Sequence, residues 1–234
     1  MVGIINSFQS LGAVDGPGLR YVIFMQGCPL RCIYCHNPDT WDLDGEEYSV
    51  DEVFQRILRY KPYFSENGGV TFSGGEPLLQ WKFVAELFCL LQQAGLHTAL
   101  DTSGIGDLIG AEEVLKYTNV VLCDLKFSNE EKYLQNCKGD MKQVISFLKL
   151  TERMQIPLWV RHVVIPGITD SKANILKIAQ LAKGFSNLRK LELLPFKKLC
   201  ISKYQALGMS FPLADYEECP DSLINELYQV IDSM

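Results

Sequence analysis

The chain has 234 residues, 47% hydrophobic and 21% charged, a balance that excludes a disordered chain and suffices for one large buried core. Against 28 Asp and Glu stand 22 Lys and Arg, a formal charge of −6, which with no Lys/Arg-rich block argues against nucleic acid as the main partner. Residues 1–11 carry no basic region followed by a long apolar core, and no run reaches about 18 apolar residues, so the expectation is a cytoplasmic protein without a membrane partner.

In chain order, apolar runs rich in β-branched residues alternate with stretches of helical spacing. Strands are predicted at 21–25, 70–72, 97–100, 120–123, 158–165 and 191–194, and helices at 50–60, 80–94, 111–117, 141–154, 171–183 and 221–231. Alternation of this kind implies right-handed crossovers and a parallel sheet covered by helices. Six units are too few for the closed eight-unit barrel. A partial (βα)6 TIM-like barrel fits better than a doubly wound sheet, and both put the chemistry at the C-terminal ends of the strands. No linker interrupts the chain, so a single α/β domain is expected, with a core at about 14–196 and a C-terminal segment and helix at about 197–234.

The informative polar residues fall at those strand ends. Cys28 follows the first strand, Ser73-Gly74-Gly75-Glu76 the second, Asp101-Thr102 the third, and Asp124 with Lys126 the fourth. Arg161 lies within the fifth, and Pro195-Phe196-Lys197 follows the sixth. Of eight cysteines only Cys28, Cys32 and Cys35 cluster, spaced C-x3-C-x2-C. Three thiolates on a short loop can wrap one iron–sulfur cube and leave one iron open. The alternative is a zinc site completed by a remote Cys or by His36. Cys89 and Cys123 read as core residues. Gly74 and Gly75 remove Cβ atoms from a turn that a small ligand can approach, and Glu76 can accept from a ligand ammonium. Asp101, Thr102 and Asp124 offer hard oxygens suited to a small cation, or serve as solvated strand-end groups.

The cysteine spacing, with Tyr34 before the last cysteine, resembles the radical S-adenosylmethionine (SAM) superfamily, as does Ser73-Gly74-Gly75-Glu76-Pro77. Further segments are similar to the pyruvate formate-lyase activating enzymes: Val14-Asp15-Gly16-Pro17-Gly18-Leu19-Arg20, Cys35-His36-Asn37-Pro38-Asp39-Thr40-Trp41, 96–104, Asp124-Leu125-Lys126, 159–167 and Leu193-Leu194-Pro195-Phe196. Between Cys35 and Ser73 there is no room for a ferredoxin-like insert, so one cluster is expected.

The resemblance implies a 4Fe-4S cluster on Cys28, Cys32 and Cys35 whose open iron chelates SAM. Reductive cleavage would yield a 5′-deoxyadenosyl radical that takes hydrogen from a backbone glycine of pyruvate formate-lyase. It implies SAM or cluster contacts from Tyr34, Asn37, Gly74, Gly75, Glu76, Asp124, Lys126 and Arg161. Lys197 stands where the family has His. A monovalent cation on Asp101, Thr102 and Asp124, aided by the Leu122 carbonyl, is implied beside the SAM carboxylate, and Asp15 at the substrate-glycine end completes the catalytic set with the cysteines. A flavodoxin or ferredoxin donor and a monomer follow by the same likeness. The alternatives are an activase of another glycyl radical enzyme such as anaerobic ribonucleotide reductase, a small-molecule radical SAM enzyme, and a zinc-binding regulatory module.

Overall fold

Most of the apolar runs form strands buried on both faces, as parallel strands beneath helices are; in β2 (Arg20–Met25) five of six residues are fully buried. The computed structural model describes residues 1–64 and 66–233. One eight-stranded sheet contains β1 (Val2–Gly12), β2, β3 (Glu46–Ser49), β4 (Gly69–Gly74), β5 (His97–Thr102), β6 (Val120–Asp124), β7 (Leu158–Val164) and β8 (Leu188–Pro195), in the order β3-β1-β2-β4-β5-β6-β7-β8. After β2 every strand lies parallel to its predecessor in that row. This unbroken order is the wall of a barrel, whereas a doubly wound sheet reverses at a switch point. Among the described residues no ladder joins β8 back to β3, so the barrel is partial.

The helices are α1 (Val50–Leu58), α2 (Trp81–Gln93), α3 (Leu108–Leu115), α4 (Glu130–Cys137), α5 (Met141–Arg153), α6 (Lys172–Lys183), α7 (Ile201–Ala206) and α8 (Asp221–Asp232). Their starts have local causes. Ser49 and Glu52 close a capping box on α1, and Asp107, Asn129, Asp140 and Ser171 accept backbone N–H bonds at α3, α4, α5 and α6. Helix α2 buries Phe83, Val84, Leu87, Phe88 and Leu91, one stripe at helical spacing against the sheet.

Four elements lie outside the sequence expectation. Strand β1 is half exposed and carries Ser7, Gln9 and Ser10, so its apolar alternation is weak; β3 reads Glu-Glu-Tyr-Ser. Both pair antiparallel ahead of the six parallel strands. Helix α4 buries only Tyr133 and Cys137, and α7 only Tyr204.

The two faces of the sheet differ. The helix side holds the large apolar core, running from Ile5 to Ile231. On the other face Ala99, Val120 and Leu122 pack with Trp159 in a small separate cluster. Because side chains alternate along a strand, that same face carries Asp101 two residues beyond Ala99, Asp124 beyond Leu122 and Arg161 beyond Trp159.

Candidate active site

Beyond β2 the chain turns into the cysteine loop, whose backbone is pinned at both ends. Gly27 N–H donates to Thr40 O (2.8 Å) and Cys28 N–H to Trp41 O (3.1 Å), while Arg31 N–H reaches Cys137 O (2.8 Å) and Ile33 N–H reaches Asn136 O (2.9 Å). The loop thus hangs between the 3-10 turn Pro38–Thr40 and the end of α4. Burial pushes the Cys28 thiol up to about 12. Cys32 is raised by its bond to the Cys137 thiol and by burial, and Cys35 by burial and the nearby Cys32. Lys126 pulls against all three shifts.

Cys32 is buried and Cys28 and Cys35 are half-buried, and a bound cation would replace the protons of such thiols, as metal coordination does. The loop is built for that replacement. Backbone N–H groups of Leu30 and Asn37 face the sulfurs of Cys28 and Cys35, and Trp41 Nε1, buried beside Cys35, has no partner at hydrogen-bond geometry. Among the described residues no three His, Cys, Asp or Glu groups converge on one point as a single ion requires. A multi-iron cluster spreads its thiolates more widely. His36, the candidate zinc ligand, is exposed and donates from Nε2 to Lys197 O (2.8 Å). The donor set therefore fits an iron–sulfur cluster better than zinc.

The loop after β4 presses directly against this one. Gly75 N–H donates to Met25 O (2.9 Å) and Glu76 N–H to Gly27 O (2.7 Å). A Cβ on Gly75 would sit 2.1 Å from Gly27 O, and Gly74 has φ +104° with no room beside Met25 N. Both glycines thus have a backbone-packing cause before any ligand is considered. Glu76 turns inward. Its fully buried carboxylate accepts from Leu78 N–H (3.1 Å), Thr102 Oγ1 (2.6 Å), Ser103 N–H (2.8 Å) and Ser103 Oγ (2.5 Å), which ties the β4 loop to the β5 loop. What this segment presents to a ligand is chiefly backbone.

Across the strand ends runs a charged array. Register places Arg161 opposite Asp124. Arg161 Nε donates to Asp124 Oδ1 (3.0 Å), its Nη2 to Asp101 Oδ1, and Lys126 Nζ to Asp124 Oδ2 (3.1 Å). Ser73 Oγ donates to Asp101 Oδ2 (2.6 Å). Burial raises Asp101 above the ordinary carboxylate range, with Arg161 opposing. Asp124 is also buried, but Arg161 and Lys126 together outweigh that effect and hold it below its usual value. Two carboxylates and two cations leave the array neutral, with hydrogen-bonding capacity toward the mouth. Asp15 stands near Arg161 and the fully buried Arg20; burial raises its carboxyl while both arginines oppose.

The remaining expected residues divide. Tyr34 is buried against Phe127, with Lys126 Nζ 5.8 Å from its ring centre. Asn37 Oδ1 accepts from Lys203 Nζ (2.8 Å), which also binds Asp39 (3.0 Å). The Lys197 ammonium points to Cys219 O (3.4 Å) and Glu218 (3.7 Å), toward the C-terminal segment. Sequence reasoning used Trp41 only as part of the family resemblance and passed over Tyr204 and Lys203; the fold gathers all three at the cysteine loop.

Comparison with known proteins agrees with this construction. The profile of the radical SAM superfamily matches residues 22–179. A pyruvate formate-lyase-activating enzyme of Clostridium pasteurianum is 46% identical over 219 residues, 93% of this chain and 92% of that protein. One from Staphylococcus aureus (strain USA300) is 41% identical over 98% of this chain and 95% of its own. Among solved structures, a domain of a pyruvate-formate lyase-activating enzyme from Bacteroides vulgatus ATCC 8482 superposes with TM-score 0.58 at 21% identity, covering 71% of this chain and 94% of that one. SuiB of Streptococcus suis bound to the precursor peptide SuiA gives 0.67 at 14% identity, covering 91% and 46%; these two likenesses speak for the fold. The chain belongs to the radical SAM superfamily and, within it, to the family of pyruvate formate-lyase-activating enzymes.

Proposed function

We propose that this chain is an activase that installs a glycyl radical on a pyruvate formate-lyase, holding a 4Fe-4S cluster on Cys28, Cys32 and Cys35 with SAM beside it. The observation that carries the reading is the three-thiol loop at the C-terminal rim of an unclosed parallel sheet, next to the array of Asp101, Arg161, Asp124 and Lys126. When bound, the cluster supplies the electron that cleaves SAM, and the resulting adenosyl fragment takes the glycine hydrogen.

The protein's own part is positioning and exclusion of water. Lys126 and Arg161, held in place by Asp124, offer fixed cations for the carboxylate and hydroxyls of SAM. The backbone of Gly74 and Gly75 lies against the cysteine loop, on the side where the amine of SAM needs acceptors. Asp15, near Arg161 and Arg20, is assigned to the substrate-glycine end of the site. Asn37 and Tyr34 fix the loop rather than reach across the mouth. A monovalent cation on Asp101 and Asp124 is part of the proposal. Its support is the donor chemistry of two adjacent carboxylates; Thr102 Oγ1 is already donating to Glu76, and Arg161 must yield one carboxylate to admit the ion. An electron carrier of the flavodoxin or ferredoxin class, a monomeric state and a cytoplasmic location complete the reading. No helix among the described residues is long and apolar enough to cross a membrane.

The test is anaerobic. The protein is loaded with iron and sulfide, reduced and mixed with SAM, and electron paramagnetic resonance is recorded with and without pyruvate formate-lyase. The expected result is a cluster signal altered by SAM, then an organic doublet only with the partner, both abolished in Cys32→Ala. A SAM-sensitive signal without the doublet discards the partner and keeps the superfamily chemistry; a colourless protein discards both.

A further inference from the structure

Two buried side-chain donors in the described residues have no acceptor at hydrogen-bond geometry, Trp41 Nε1, which lies beside the Cys35 sulfur, and Tyr204 Oη. They are neighbours, with rings edge to face and centroids 6.1 Å apart. Both belong to the wall of the cysteine loop. The Trp41 carbonyl accepts from Cys28 N–H, and Lys203, the residue before Tyr204, clamps α7 to Asn37 and Asp39 just beyond Cys35. On its other side the Tyr204 ring packs on Phe211, 5.0 Å between centroids. The thiols of Cys35, Cys200 and Cys32 are near enough for their charges to bear on its hydroxyl.

A buried hydroxyl or indole N–H without an acceptor is costly. Two such groups beside one loop indicate an acceptor that arrives with a ligand. The ligand that loop fits is rich in sulfur, a weak acceptor that improves as it gains negative charge.

We propose that Trp41 Nε1 and Tyr204 Oη are the hydrogen-bond donors to the sulfurs of a cluster on Cys28, Cys32 and Cys35, and that they set its reduction potential. The inference rests on the cluster reading above. Hydrogen bonds to cluster and ligand sulfurs stabilise the reduced state, which carries the extra negative charge, more than the oxidised state. Each donor therefore raises the potential toward what a biological electron carrier can deliver.

Tyr204→Phe keeps the ring and removes only the hydroxyl. In the loaded protein, redox titration followed by electron paramagnetic resonance should show the reduced-to-oxidised ratio falling about tenfold at fixed potential, a downward shift of about 59 mV for a one-electron couple. Iron and sulfide content should be unchanged. In the protein without its cluster the same variant should melt no lower than the parent, because the hydroxyl has no partner to lose. Trp41→Phe gives a second downward shift. An unchanged potential in a fully loaded Tyr204→Phe protein overturns the proposal while leaving the cluster intact, as does a fall in the melting temperature of the cluster-free form. Failure of the parent protein to take up a cluster overturns the underlying reading as well, and is recognised by the absence of colour before any titration.

Discussion

Asp124 answers two cations at once, Arg161 and Lys126, and this makes it the pivot of the charged array. Asp124→Ala should release both, weakening SAM binding by ~1.5–3 kcal/mol, roughly ten- to a hundredfold, with the cluster colour retained. A SAM titration of the cluster signal checks this, and unchanged affinity removes Asp124 from the site. His162 offers a different readout. Its Nδ1–H donates to Leu125 O (2.7 Å), its Nε2 accepts from Asn174 Nδ2 (3.1 Å), and burial holds its pKa down to about 4. The folded ring stays neutral where the unfolded one takes a proton below about pH 6.5, so the unfolded state binds more protons and stability falls as pH drops from about 6.5 to 4. His162→Gln should flatten the stability–pH curve over that window by up to ~1.4 kcal/mol per pH unit. Denaturant melts at several pH values measure it, and an unaltered slope contradicts neutral burial. At this scale the thiol spacing and the strand-end acids were legible, because each is a local pattern. The inward turn of Glu76 was not: its partners Thr102 and Ser103 belong to another strand end, and nothing in a Gly-Gly-Glu segment names them. Nor was Lys203 on Asn37, a contact 166 positions apart.

Loops that touch through bare backbone are the feature of the element scale. Gly75→Ala would put a methyl 2.1 Å from Gly27 O, driving the β4 loop off the cysteine loop. We expect a loss of ~1–3 kcal/mol in unfolding free energy and reduced iron retention after gel filtration. Unfolding parallel to the parent, with full iron content, would show that the two loops tolerate separation. The predicted strands at 21–25, 70–72, 97–100, 120–123, 158–165 and 191–194 correspond to β2, β4, β5, β6, β7 and β8. All of those runs but the last, the edge strand β8, are largely buried and so leave a dense apolar imprint. Strand β8 starts at Leu188, earlier than expected, because Arg189 and Lys190 are exposed and carry no apolar signal. Helix α3 starts at Leu108 because Asp107 accepts from Ile109 and Gly110 N–H, a cap that an apolar count overlooks. Strands β1 and β3 are half solvated, and α4 and α7 each bury one or two side chains, too few for periodicity to register.

At the scale of the whole molecule, the strand order explains why so many distant residues meet. Every parallel strand from β2 to β8 ends on the same rim, and each contributes a side chain or a loop there. The expectation of a partial barrel rested on counting six units, and the consecutive order of those six bears it out. An unclosed wall also has two unpaired borders, and a border of free N–H and C=O groups is a template for a foreign strand. This chain blunts both. The outer strand β3 is four residues long and begins Glu46-Glu47. The outer strand β8 bears Arg189, Lys190 and Glu192 and ends in a proline, and Leu193 N–H is taken up by the Tyr228 hydroxyl (2.8 Å) from α8. A barrel left unclosed is thereby kept from zipping edge to edge with its own copies. Solubility at high concentration is thus guarded by a handful of charges and one tyrosine at the margins of the sheet.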